Sequence, residues 1–438
     1  MNARSEPASS RGLRRARTDS PPLEHRILVT VTLCLLAFGA VMVYSASSPV
    51  EAISGSGYGT GEFVTYLIAA AIGLVVMRVF ERVGLSFLNE RVARLLLLIA
   101  FGLLLAVLIP GIGHEVQGAR RWFAFGPLEF QPSELMKFAL IVYLARYLAD
   151  HPPRENVPFR QAVTPIAVVA VPAMLLIVVE PDLGTTLVVF FVVMSLLLVA
   201  GLPGRQLLGV LVLAALVVTL LVVARPYERA RLTSFLHPWS VHCAAANCYQ
   251  SDQGQIAVGS GGLFGSGLGS SLQKLFWLPE AQTDFILGVI GEELGLAGIF
   301  GLVVLYGMIA YAGLRTARRA ADRYRKLLAS GLTSLIVCQA LLNIGVVLGI
   351  APLTGVPLPF ISYAPTSLIV MLGAVGLLLG IARPPARELR LVDTEPRSEE
   401  SSESKRRRQA ARGEGADRDR RDRGARRAGA RGGRRFAG

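Results

Sequence analysis

The chain has 438 residues, 52% of them hydrophobic and 17% charged, with a mean hydropathy of +0.50. Those proportions exclude an ordinary soluble enzyme, because apolar runs of about 17 residues or more recur too often to be buried core helices. The formal net charge of +14 is concentrated at the two ends, so the basicity describes the tails and leaves the body nearly balanced.

Residues 1–26, with "SRGLRRARTD", read as a basic cytoplasmic tail. The run that follows, "ILVTVTLCLLAFGAVMVYSAS", is long enough to span and is followed by further spans, so it reads as a retained helix and not a cleaved signal peptide. Windows of about 20 residues place ten spans, starting near Ile27, Phe63, Ala93, Glu134, Val163, Thr185, Gln206, Phe285, Leu327 and Phe360. The expected fold is an all-α polytopic membrane domain over 27–382, with a large extracytoplasmic loop at 225–284 between spans 7 and 8.

Orientation follows from the loops. "RVFERVGLSFLNERVAR" and "RTARRAADRYRK" alternate with segments free of Lys and Arg, such as "SSPVEAISGSGYGTGEF". Basic residues in short loops stay on the cytoplasmic side, and an even number of spans puts both termini there. Residues 111–134, "EPDLG" (180–184), 225–284 and 352–367 then lie outside. The C-terminal tail, 383–438, reads as disordered and attracted to anionic lipid; no folded nucleic-acid module accompanies it, so no nucleic-acid partner is expected.

Cys34 and Cys338 fall in spans and read as packing. Cys243 and Cys248, in "HCAAANCYQ" of the outer loop, are disulfide candidates. His237 and His242 lie nearby, but their spacing matches no familiar metal pattern, so no metal site is expected. The glycines of "GSGGLFGSGLGSS" lack the G-x-G-x-x-G spacing and any following Lys-Ser or Lys-Thr, which excludes a nucleotide loop.

The candidate chemistry is carboxylate and cation. Asp284, at the outer mouth of an apolar helix, either caps that helix along with Thr283 or serves as a general base, since partial desolvation there strengthens a carboxylate as proton acceptor. Glu292 lies eight residues on, about 12 Å deeper, and with Glu293 requires a polar cavity or an internal partner; for Glu293 an ion pair is expected. Gly288, Gly291, Gly295 and Gly298 form a smooth strip for close approach. Glu134 and Lys137 share a helix face and can pair, or Lys137 can hold phosphate, as can Arg120, Arg121 and Lys274.

Taken together, "VMVYSAS", "GARRWFAFGPLEFQPSELMKFALIVYLARYLA", "EPDLGTT", "QIAVGSGGLFGSGLGSSLQKLFWLPEAQTDFILGVIGEELGLAG" and "LNIGVVLGIAPLTGVPLPFISY" resemble the SEDS family of peptidoglycan-polymerising glycosyltransferases (FtsW, RodA, SpoVE). "YSAS" and "GARRW" are nearer FtsW, the division type, than RodA, the elongation type. The resemblance implies lipid II as substrate, an inverting transfer outside the cytoplasmic membrane, a class B penicillin-binding protein and other division proteins as partners, and a possible divalent cation such as Mg. It implies Asp284 as the essential catalytic residue and Glu134 with Lys137 as a charged pair lining a central cavity; Arg120, Gln131, Ser133, Lys274 and Glu292 are further substrate-contact candidates. Where the family usually reads "SYGGSS", this chain reads "SYAPTS" (362–367), with Pro365 pushing Ala364 out of the helical region. A lipid-linked-sugar flippase and a non-catalytic division scaffold are the rival readings.

Overall fold

Among the described residues, ten helices of 18 residues or more stand where hydropathy placed spans: α1 (Leu23–Ser54), α2 (Gly61–Val83), α3 (Glu90–Val107), α4 (Pro132–Asp150), α5 (Phe159–Val179), α6 (Leu183–Ala200), α7 (Gly204–Ala224), α9 (Ile286–Arg319), α10 (Arg323–Val347) and α11 (Pro365–Ala382). A shorter helix, α8 (Tyr249–Ser260), precedes α9. This computed structural model describes residues 22–54, 60–85, 87–116, 119–125, 128–153, 158–224, 249–275 and 277–383, with isolated positions between 229 and 236. Residues 1–21, residues 384–438 and the Cys243–Cys248 pair lie outside the described residues, and α1 takes in the last four residues of the expected N-terminal tail.

Among the described residues, seven of the helices are long and apolar enough by themselves to cross a membrane. The other three span positions are α3, α4 and α7. The first turns of α3 carry Glu90, Arg91 and Arg94, and α4 carries Glu134, Lys137, Arg146 and Asp150. In α7 the apolar part is described only over Gly204–Thr219. At 1.5 Å per residue an 18-residue helix still reaches about 27 Å, close to the apolar thickness of a bilayer.

Local signals set the ends. Asn89 accepts from Val92 N at 3.0 Å and Asp322 from Arg325 N at 2.7 Å, each capping the helix that follows. α11 starts five residues later than hydropathy suggested because Pro365 occupies its first turn, where a missing N–H costs nothing, and Ala364 before it is extended (φ −151°, ψ 82°). α10 and α11 are the most enclosed spans, whereas α5 and α9 expose most of their apolar windows.

Two features depart from a plain helical bundle. The segment 111–134, expected only to lie on the outer side, forms a small antiparallel sheet of β1 (His114–Val116), β2 (Ala119–Phe125) and β3 (Leu128–Phe130), in that order. Strands this short between two spans are hidden from a hydropathy window. The second feature is the described part of the long segment before α9, which folds back along that helix. Gly295 breaks α9 with φ 67° and ψ −163°, about 14 Å from its start. The backbone groups near the break pair with residues 262–267: Leu296 N donates to Gly262 O (3.0 Å), Ala297 N to Leu263 O (3.1 Å), Ser266 N to Glu292 O (2.9 Å) and Gly267 N to Glu293 O (3.0 Å). Irregular backbone at that depth persists only when protein satisfies it.

Gly295→Ala should therefore destabilise strongly. Its Cβ would stand 2.5 Å from Gly265 N, in a backbone conformation essentially reserved for glycine. A loss on the order of 3 kcal/mol, read as a lowered melting temperature in detergent, is expected; an unchanged melting curve would contradict the kink.

Candidate functional site

The helix starts of α2, α4, α6, α9 and α11 lie at one end of the bundle, with the sheet and the 353–364 segment between them. A cavity of about 490 Å³ opens there, lined by Glu62, Ala119, Arg121, Trp122, Glu129, Gln131, Asp182, Gln250 and Glu280, by residues 282–284, by Leu353, Gly355 and Pro357, and by residues 363–367. All four segments that the charge pattern placed on the outer side contribute to it.

Asp284 lines this cavity, half-buried. α9 begins at Ile286 with Phe285 as its N-cap, so Asp284 stands one residue short of the capping position. Thr283 turns its hydroxyl to Glu280, at 3.2 Å from the carbonyl and 3.0 Å from the carboxylate. The backbone carbonyl of Asp284 accepts from Asn343 Nδ2 at 2.8 Å.

Arg121 faces it from β2 and is the only cation among the described lining residues. Successive side chains on a strand point to opposite faces, which separates two neighbours that look equivalent in sequence. Arg120 points away and pairs with Glu115 at 2.9 Å. Arg121 turns inward, its Nε donating to Glu180 O (2.7 Å) and its Nη2 to Pro181 O (2.5 Å). Two of five guanidinium N–H donors are thus used and three remain.

The rest of the wall is tied together by hydrogen bonds. Gln131 Nε2 donates to Asp182 Oδ2 (3.3 Å), and Asp182 Oδ1 caps α6 by accepting from Thr185 N (2.9 Å). Thr366 Oγ1 donates to Glu129 O (2.6 Å) and accepts from Gln131 N (3.2 Å), so the divergent "SYAPTS" segment anchors the sheet to α11. Gln282 Nε2 donates to Glu62 Oε1 (3.3 Å), and Tyr363 N to Gln282 O (2.9 Å). Glu62 and Gln282 carry no local signal in the sequence; only the fold brings them together.

The other candidates lie away from the cavity wall. Glu134 and Lys137 pair at 2.7 Å with side chains 2% and 1% exposed, and Lys137 Nζ also donates to Gln339 Oε1 (2.8 Å). Ser133 is buried beside them. Lys274 pairs with Glu293 at 2.8 Å, with Ser45 donating to the same carboxylate. Glu292 accepts from Leu272 N (2.9 Å), Gln273 N (3.3 Å) and Ser271 Oγ, holding the folded-back loop against α9. The glycine strip lets that segment approach: a Cβ at Gly291 would meet Val258 of α8 at 2.9 Å. Among the described residues, no three His, Cys, Asp or Glu side chains converge as a metal-holding set.

Glu180, beneath the sheet, is fully buried, and neither carboxylate oxygen has a hydrogen-bond partner among the described residues. Burial pushes its carboxyl up to about 9, with Asp182 adding and Arg121 opposing. The folded protein holds a proton there that the unfolded chain releases above about 4.5. The stability contribution of this group is complete below that pH and falls as pH rises toward 9. Glu180→Gln, neutral at every pH, should melt higher than wild type at pH 8–9 and converge with it near pH 5; parallel melting curves would refute this.

The FtsW/RodA/SpoVE sequence profile, described as cell cycle protein, matches residues 25–386. The chain is 40% identical over 365 residues to stage V sporulation protein E of Bacillus subtilis (strain 168), covering 82% of this chain and 96% of that one. It is 40% identical over 359 residues to the "Probable peptidoglycan glycosyltransferase FtsW" of Coxiella burnetii, covering 81% and 95%. Among solved structures, it matches a chain from a study of structural coordination of polymerization and crosslinking by a peptidoglycan synthase complex (TM-score 0.66, 30% identity, 81% and 96% covered). It also matches the rod shape determining protein RodA of Thermus thermophilus (TM-score 0.59, 30% identity, 81% and 95% covered). With ten helices at the predicted spans and a polar cavity at one end, the chain is a polytopic membrane protein that belongs to the FtsW/RodA/SpoVE family.

Proposed function

We propose that the chain is a peptidoglycan glycosyltransferase of the FtsW type, polymerising lipid II at the outer face of the bacterial cytoplasmic membrane in cell division. Both termini, 1–26 and 383–438, are cytoplasmic in this reading and bind anionic lipid. A class B penicillin-binding protein is the partner that crosslinks the product, alongside other division proteins. The observation that carries the reading is Asp284 on the wall of a polar cavity at one end of the bundle, with Arg121 lining the same space.

In the inverting transfer, the C4 hydroxyl of one lipid-linked sugar attacks the anomeric carbon of the growing strand. The new C–O bond forms as the bond to undecaprenyl pyrophosphate breaks, and the hydroxyl proton passes to the Asp284 carboxylate. Pyrophosphate leaves as an anion and needs no general acid; it needs positive charge, which the remaining donors of Arg121 supply. Gln131, Thr366 and Ser367 offer polar contacts to the sugars.

The test is polymerisation of lipid II by the purified full chain with a candidate class B penicillin-binding protein, read as glycan polymer on a gel. Polymer is expected. Translocation of labelled lipid II across liposomes without polymer would establish the flippase reading instead. Neither activity, with recruitment of division proteins lost on deleting 383–438, would establish the scaffold.

A further inference from the structure

Asn343 lies on α10, one turn after Gln339 and on the same face, and is 2% exposed. Its Nδ2 donates to two backbone carbonyls from different walls of the cavity: Asp284 O at 2.8 Å and Val356 O at 2.8 Å. Both partners are acceptors, so only the NH₂ side of the amide satisfies them and its orientation is fixed. Next to Val356, Gly355 (φ +68°) runs so close to Asp284 that a Cβ there would stand 3.3 Å from Oδ2. One turn earlier, Gln339 Nε2 holds the neighbouring carbonyl of Pro357 (3.1 Å) and Ser367 Oγ (3.3 Å). The two amides together fasten the 355–357 wall to α10, and Asn343 also ties the Asp284 peptide to that wall.

We infer that Asn343 is a positioning residue: by bridging the Asp284 and Val356 carbonyls it fixes the Asp284 carboxylate against the 355–357 wall, at the spot where the acceptor hydroxyl must meet it. The assignment rests on Asp284 being the base. Asn343 is not among the described lining residues; its effect passes through the placement of the carboxylate and of the wall beside it. A displacement of about 1 Å at a reacting group costs on the order of 100-fold in rate without a matching loss of binding.

The experiment compares the full chain carrying Asn343→Leu, similar in size and without donors, with wild type in lipid II polymerisation with the partner protein. A kcat lower by about 100-fold is expected, with KM for lipid II within about threefold and partner binding retained. A near-wild-type kcat, or a loss confined to KM, overturns the assignment. Asn343→Ser, smaller and still polar, carries the same expectation if the leucine variant does not fold; failure of both to fold makes Asn343 a folding residue and also overturns it. Asp284→Asn in parallel separates the two claims. If that variant polymerises normally, the base reading fails and takes this one with it. If it is inactive while Asn343→Leu is normal, only the positioning role fails.

Discussion

Asp284→Asn should reduce polymerisation by at least about 100-fold, within the range that a lost general base costs, while leaving the fold and partner binding intact. The substitution is isosteric, and the bond that ties this residue to α10 uses its backbone carbonyl, which the change does not touch. Asp284 lies outside the capping position of α9, which Phe285 occupies. A purified variant that melts like wild type but makes no polymer is the expected result. Undiminished polymer would show that the acceptor proton goes elsewhere, and the other carboxylates on the wall, Glu62, Glu129, Asp182 and Glu280, would be the groups to examine next.

The spans were legible because period and hydropathy act over 20 residues, and a signal of that length survives single exceptions. Their ends were missed by three to five residues even where a cap or proline marks them: after Asn89, after Asp322 and at Pro365 the helices start at Glu90, Arg323 and Pro365, not at Ala93, Leu327 and Phe360. The sheet between α3 and α4 was not legible, since seven residues of β2 give too short a pattern for any window tuned to spans. That omission had a consequence at the site. Arg120 and Arg121 are indistinguishable as neighbours in a loop, but on a strand their side chains point to opposite faces. Recognising "ARRWFAF" as a strand would have favoured one of the two without choosing which.

The intramembrane carboxylates show a different limit. Sequence dictates that Glu134, Glu292 and Glu293 have partners, because an unpaired charge at depth is too costly, but it does not say whether the partner is substrate or protein. The fold answers with protein in each case: Lys137 for Glu134, the Ser271–Gln273 turn for Glu292, and Lys274 with Ser45 for Glu293. Cations that looked available for a diphosphate are thereby committed, and Arg121 is the one described cation left on the cavity wall. Asn343 and Gln339 carried no local signal at all. Amides on an apolar helix acquire a role only when the residues opposite are known.

Lys137→Met should be among the most damaging single changes in the membrane domain. Its side chain and that of Glu134 are nearly inaccessible at 1% and 2%, so removing the cation leaves a buried carboxylate without its counter-charge, which costs roughly 3–5 kcal/mol. It also strips the donor from Gln339, whose amide holds Pro357 and Ser367 of the cavity wall. Low expression, a much lower melting temperature in detergent and weak polymerisation are expected together. Replacing the whole pair, as Glu134→Leu with Lys137→Met, removes both charges and should recover most of the stability, since apolar substitutes of similar volume often match a buried ion pair. Activity then decides what the pair does. Because, among the described residues, the pair's side chains reach the cavity wall through Gln339, the double variant should polymerise within about tenfold of wild type, a rise of about 1.4 kcal/mol or less in the barrier. A double variant that is stable but inactive would mean that the pair contacts substrate directly, and that the cavity opens deeper into the bundle during the reaction cycle.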